Sequence, residues 1–307
     1  MTDLIPYSQA RITQVQHDML SLLDSEGSRR VYRLDLAFFA DWMHQRGLTY
    51  QAVTASDMIA YRAHLAQTYK KVTAQRMFTV VRRLFKMLVS RGVRPDNPCS
   101  EIKGFVVDNE STHIALKREQ AKQLLDGIDT RTVKGKRDYA IVVLLLRTGL
   151  RRAECTALTV GDLQMREGHH VAIIQHGKGD KRRIVKIPVD VFRSLEDYII
   201  ASGRTITSLA DPLFIGFDRR PRYAGQAIST KGIERIVKDA GERLGYREPH
   251  QLTPHDLRAT FITLAKEGGA TLEQRQYVVG HSDPRTTQRY DRRKLNLDDN
   301  AVDHIHL

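Results

Sequence analysis

The sequence predicts a mainly α chain in two domains: a helical bundle over residues 1–108, then a mixed α/β domain over 109–307 with a small antiparallel sheet. Three observations predict it. Apolar residues recur at helical spacing almost without interruption from Ser8 to Ser90. Strand-like runs are confined to the segment between His170 and Pro188. A turn cluster, Gly92-Val93-Arg94-Pro95-Asp96-Asn97-Pro98, closes the first group of helices, and Ser100 to Ile114 reads as a linker.

Taken in order, the first helix spans Ser8 to Leu23, with Ile12, Val15, Met19, Leu22 and Leu23 on one stripe. Ser28 is placed as the cap of the next, whose inner face is Tyr32, Leu36, Phe39, Trp42 and Met43, and Gly47 ends it. Ser56 is placed as the cap of the third. A fourth runs from Thr73 to Ser90 with Phe78, Val81, Leu84, Phe85 and Leu88 inside. Lys70, Lys71, Arg76, Arg82, Arg83, Lys86 and Arg91 form its basic face, with no acid between Lys70 and Arg91. Such a face suits a DNA groove.

In the second domain a helix is expected from Lys117 to Ile128, and another from Lys136 to Arg147 that stops at Gly149. Arg151-Arg152-Ala153-Glu154 opens the next. Val171 and Ile173, then Ile184, Val185 and Ile187, flank Gly177-Lys178-Gly179-Asp180-Lys181, which reads as a β-hairpin tipped by lysines. Helices follow over Val189–Ala201, from Ser229 to Gly245, from Thr253 with Pro254 in its first position, over Leu272–Val279, and over Pro284–Arg293. A tail from about Leu295 carries Leu297, Val302, Ile305 and Leu307 among acids and histidines, a composition that fits docking on its own body or on a neighbouring subunit.

Charge narrows the partners. Lys and Arg number 49 against 36 Asp and Glu, a net charge of +13, and the isoelectric point is near 9.8. That field favours a polyanion, nucleic acid before others. Two cysteines, Cys99 and Cys155, make neither a disulfide framework nor a metal-binding spacing, so a reducing, cytoplasmic location is expected. Met1 to Pro6 lacks the basic and apolar regions of a signal peptide. The longest apolar run, Tyr139 to Leu146, is too short to span a bilayer.

The second domain also carries the chemistry. His255 and Arg258 lie three apart on one helix face, near an N-terminus that favours anions. His281 precedes Tyr290 by nine positions. These types fit metal-free cleavage of a phosphodiester. Guanidiniums bind the charge developing on the non-bridging oxygens. A tyrosine is an effective reversible nucleophile, and an imidazole or ammonium moves protons. Spacing alone does not place Arg151 or Lys178 beside this group.

Thr148-Gly149-Leu150-Arg151-Arg152-Ala153-Glu154 resembles the first arginine motif of the tyrosine recombinases, the lambda-integrase family. Gly177-Lys178-Gly179-Asp180-Lys181 resembles its hairpin lysine. His255-Asp256-Leu257-Arg258 resembles its HxxR box, and Val279-Gly280-His281 with Tyr290 has its usual interval. The motifs occur in the family's order from about Lys117 to Arg293. Tyr32 to Leu36, with Phe39 and Trp42, more loosely resembles the family's core-binding domain.

The resemblance, closest to the simple two-domain Xer/Cre type, implies a SAM-like core-binding domain and a catalytic domain that together form a C-shaped DNA clamp. It implies that Arg151 and Arg258 hold the scissile phosphate and that Tyr290 attacks it, giving a 3′-phosphotyrosine. Lys178 protonates the leaving oxygen, with Lys181 on the same loop as a further DNA contact. His255 moves the proton of the nucleophile, His281 bonds a phosphate oxygen, and Glu154 orients Arg151 or His255. It implies no metal or other cofactor, a homotetramer on two duplexes joined by tail exchange, and a Holliday-junction intermediate. Ala259, Cys155 and Val279 depart from the commoner family pattern without removing a catalytic group. His169, His170 and His176 are expected to be structural. A monomeric DNA-relaxing enzyme of the type IB topoisomerase kind is the alternative, and an architectural DNA-binding protein that kept the fold is a third reading.

Overall fold

The structure is a computed structural model and describes residues 9–107, 113–175, 182–217, 225–248, 250–281 and 283–288. Lys178, Lys181, Arg289, Tyr290 and the tail therefore lie outside the described residues. The chain divides into two compact units, Met1–Asn109 and Glu110–Leu307.

The first unit is built of α1 (Gln9–Ser21), α2 (Glu26–His44), α3 (Ala55–Thr68) and α4 (Lys71–Ser90). Its core gathers Ile12, Met19, Phe39, Met58, Tyr61, Phe78, Leu84 and Phe85, all but inaccessible to solvent. Two caps differ from expectation. Ser25 caps α2, accepting from the backbone N–H of Ser28, so Ser28 is inside the first turn rather than before it. Thr54 caps α3 through a reciprocal box with Asp57, whose carboxylate accepts from the Thr54 N–H at 2.9 Å. That box satisfies two terminal groups at once, which a cap at Ser56 would not.

The basic face of α4 divides into tied and open residues. Arg76 pairs with the buried Asp35, Arg82 donates to the Ile102 carbonyl, and Arg91 lies 3.2 Å from Asp18. These three help to hold the unit together. Lys70, Lys71 and Lys86 are exposed and Arg83 is half-buried.

The expected linker is shorter than Ser100–Ile114. Arg62 donates to the Lys103 carbonyl at 2.9 Å and the Phe105 ring packs edge-on against Phe78, which fixes this stretch on the first unit. On the second unit, Ile114 N–H donates to Asp256 at 2.8 Å and Leu116 N–H to Thr260 at 2.9 Å.

The second unit is organised on α6 (Val133–Thr148), in which Ala140 to Leu146 are all buried. It packs against α8 (Val189–Ala201) and α10 (Pro254–Glu267). Around it stand α5 (Arg118–Asp126), α7 (Arg152–Ala157), α9 (Thr230–Arg243), α11 (Leu272–Val279) and α12 (Pro284–Gln288). A three-stranded antiparallel sheet of order β1-β2-β3 covers one side: β1 (Leu163–Arg166), β2 (His169–Ile174) and β3 (Arg183–Lys186). The β2–β3 pair, with Ala172 opposite Val185 and Ile174 opposite Arg183, is the expected hairpin. β1 is the unexpected strand. It lies mostly in solvent with Met165 well exposed, so no apolar alternation marks it. Among the described residues, no helix is long and apolar enough to cross a membrane.

Candidate active site

The C-terminal turn of α11 organises the site. A helix leaves its last carbonyls without intrahelical donors. Here three consecutive ones receive three arginines from elsewhere in the unit. Arg183 Nε of β3 donates to Val278 O at 2.9 Å. Arg258 Nη2 of α10 donates to Val279 O at 2.6 Å. Arg151 Nη2, at the head of α7, donates to Gly280 O at 3.1 Å. Adjacent carbonyls thus bring Arg151 and Arg258 together although 107 positions separate them in the chain (258 − 151 = 107). The negative end of a helix dipole also favours cations here.

Arg258 is the more enclosed, at 2% exposure, and its Nη1 donates to Gly149 O at 2.5 Å. Its guanidinium thereby joins the carboxyl ends of α6 and α11. Two glycines close these helix ends. Gly149 closes α6 at φ 62°, and a Cβ there would lie 2.5 Å from the Phe261 ring. Gly280 closes α11 at φ 64°, where a Cβ would stand 3.0 Å from the Arg183 guanidinium carbon. Both need the left-handed region and the missing side chain.

Glu154 is the acid of the cluster. Its carboxylate accepts both Nη groups of Arg183, at 3.0 and 2.8 Å, and the Nη1 and backbone N–H of Arg151, each at 2.8 Å. Burial works to raise its pKa, but the bonds from Arg183 and Arg151 prevail and hold it below the ordinary carboxylate value. The carboxylate is ionised at neutral pH. Three guanidiniums against one carboxylate leave positive charge where Arg151, 21% exposed, meets solvent. The Cys155 thiol beside Glu154 is fully buried, and that burial, with the Glu154 charge, pushes its pKa up.

His281 follows Gly280. Its Nδ1 lies 2.8 Å from Thr287 Oγ1 on α12, and its carbonyl accepts from Gln276 Nε2 at 2.9 Å. His255 stands in the first turn of α10 and keeps an exposed edge, while Arg258 one turn on points into the core. The shared helix face therefore spans two depths. Partial burial, then the charges of His113, Arg258 and Arg152, lower the His255 pKa, with Asp256 opposing. Asp256 closes the α10 capping box with Thr253, accepting from its N–H and hydroxyl at 2.7 Å each.

Arg151, Arg258, Glu154 and the His281 turn form one connected group, and His255 lies at the start of the helix that supplies Arg258. Arg183, Asp256 and His113 were not among the residues expected at the site. Arg183 carries a sequence signal: it stands two positions before the buried Val185, so the strand period turns a charge inward, where it requires an acid partner. His113 carries none, because Asp256 and His255, which it meets, are more than a hundred positions away.

A family profile described as the phage integrase family matches residues 115–296, and one described as the phage integrase N-terminal SAM-like domain matches 19–92. The chain belongs to the phage integrase family. Within the family it is similar to "Tyrosine recombinase XerD" of Listeria monocytogenes, 30% identical over 289 residues that cover 90% of this chain and 91% of the relative. It is equally similar to "Tyrosine recombinase XerC" of Roseiflexus castenholzii, 30% identical over 282 residues that cover 90% and 85%. Among solved structures the fold matches that of the Tn1549 transposon integrase in complex with transposon right-end DNA, with TM-score 0.71 at 19% identity over 91% of this chain and 94% of that one. It also matches lambda integrase bound to a core site, with TM-score 0.70 at 13% identity over 93% and 95%. The chain is thus an enzyme of the tyrosine recombinase class.

Proposed function

We propose that the protein is a site-specific DNA recombinase that cuts and rejoins duplex DNA through a covalent bond to Tyr290. The observation that carries this reading is the seating of Arg151 and Arg258 on adjacent carbonyls of the turn that leads into His281. Two guanidiniums from different helices, held by the fold before any substrate arrives, suit the two non-bridging oxygens of one phosphate. Tyr290 follows His281 by nine positions along the chain.

In this reading the P–O5′ bond breaks as the bond from phosphorus to the Tyr290 oxygen forms. His255, held neutral, takes the tyrosine proton, and Lys178 gives a proton to the departing 5′ oxygen. Arg151, Arg258 and His281 stabilise the charge on the phosphoryl oxygens. The bond energy is retained as a 3′-phosphotyrosine, so a 5′ hydroxyl from the partner duplex reverses the step and joins the strands. Paired exchanges pass through a Holliday junction in a tetramer on two duplexes, tied together by the tail after about Leu295. Lys70, Lys71, Arg83, Lys86 and Lys181 meet the DNA backbone. The chemistry uses no metal and no nucleotide.

A library of nicked duplexes tests this. The wild type traps as a covalent complex on a subset of sequences, and sequencing the protein-linked 3′ ends gives the site. Tyr290→Phe binds those duplexes without trapping. Trapping by Tyr290→Phe, or none by the wild type, refutes the assignment. Relaxation of any plasmid without recombinant product decides for the topoisomerase-like alternative.

A further inference from the structure

We propose that His113 is a positioning residue for His255: an imidazole anchored on Asp256 that fixes the seat of the His255 ring at the mouth of the site. The inference rests on the reading of His255 as the proton-transfer group. His113 Nδ1 lies 3.3 Å from Asp256 Oδ1, and its ring centroid is 5.4 Å from that of His255 at an interplanar angle of 36°. Asp256 is a rigid post. Its Oδ1 also accepts from Ile114 N–H, and its Oδ2 from the Thr253 N–H and hydroxyl. Its carboxylate is 6% exposed, against 37% for the His113 side chain. His113 is thus located from within and faces His255 from outside.

The charges around His255 give this placement a chemical consequence. His113 faces it from the segment before α5, Arg152 from α7, and Arg258 and Asp256 from α10 itself. Arg152 is shared with Glu234 of α9 at 2.6 Å. Charge on His113 acts against charge on His255. Asp256 favours a charged His255, and the His113 ring stands against one of the oxygens of that carboxylate. The result is an imidazole that keeps its lone pair for the tyrosine hydroxyl. Burial of the ring acts in the same direction.

The test uses the full chain carrying 13C-labelled histidine, with His255→Gln to assign the resonance. His113→Phe keeps a ring and removes the charge. His113→Gln keeps a donor for Asp256 without charge and serves if the Phe variant folds poorly. In both, the His255 titration midpoint moves up. The ratio of covalent trapping rate at pH 6 to that at pH 8 falls by about threefold or more, since protonated His255 cannot accept. His113→Lys, which keeps a cation, returns both readouts toward wild type. An unchanged midpoint in both neutral variants overturns the proposal, as does a moved midpoint with an unchanged rate ratio in those variants when the wild type traps. A moved midpoint in a protein that never traps leaves the placement of His113 standing and refutes the Tyr290 reading instead.

Discussion

Replacing Arg183 with Met tests the arginine rack most directly. The guanidinium is 8% exposed and makes two hydrogen bonds to Glu154, whose carboxylate is 3% exposed, and a third to Val278 O. Removing one partner of a buried pair costs about 3–5 kcal/mol, because the other charge stays buried. Arg151 still gives Glu154 two donors, so the low end, about 3 kcal/mol, applies. For a unit near 200 residues that is a fall of roughly 6–12 °C in melting temperature. The assay must report on the second unit. Trp42 is the chain's single tryptophan and lies in the first, so its fluorescence will not follow the change. Amide hydrogen exchange across α7 and α11 will. Glu154→Gln in the Arg183→Met background removes the stranded charge, and the double variant should recover about 2 kcal/mol relative to the sum of the singles. The pH dependence has a defined sign. The folded Glu154 pKa lies below its ordinary 4.5, so the pair's contribution is complete above that pH and is lost as pH falls through the folded value. The deficit of Arg183→Met should therefore shrink in acid. Full stability of the single variant, or strict additivity with Glu154→Gln, would refute the arrangement.

Two other outcomes follow from the geometry. Gly280→Ala places a methyl 3.0 Å from the Arg183 guanidinium at φ 64°, and should cost about 1–3 kcal/mol by hydrogen exchange while slowing single-turnover trapping more than it weakens DNA binding. Lys70→Gln with Lys86→Gln should weaken binding evenly across DNA sequences and flatten the log–log salt dependence by about 0.9 per lost phosphate contact, measured by fluorescence anisotropy. Arg76→Gln should instead destabilise the first unit, because Arg76 serves the buried Asp35.

Much of the fold is local and was therefore legible. The limits of α8 and α11 fall where the sequence places them, at Val189–Ala201 and Leu272–Val279, and Thr253 with Pro254 marks the start of α10 by cap chemistry alone. Where local signals competed, reading failed. Ser25 and Ser28 are equally good caps in a string, and only the folded backbone shows which donates to which. β1 escaped because an edge strand in solvent needs no apolar alternation. The basic face of α4 looked uniform because charge is countable in sequence, whereas its partners Asp35, Ile102 and Asp18 come from other segments.

The same division holds at the site. The sequence alone determined which residue types are present, their order along the chain, and that Gly149 ends a helix, since these depend on side-chain chemistry and on near neighbours. It could not determine that Arg151, Arg183 and Arg258 share the last carbonyls of α11, or that His113 stands beside His255. Those relations join segments up to 142 positions apart (255 − 113 = 142) and exist only once helix ends with unsatisfied carbonyls and buried carboxylates have been packed together. The buried polar groups then had to find partners, and the tertiary structure decided which ones they found.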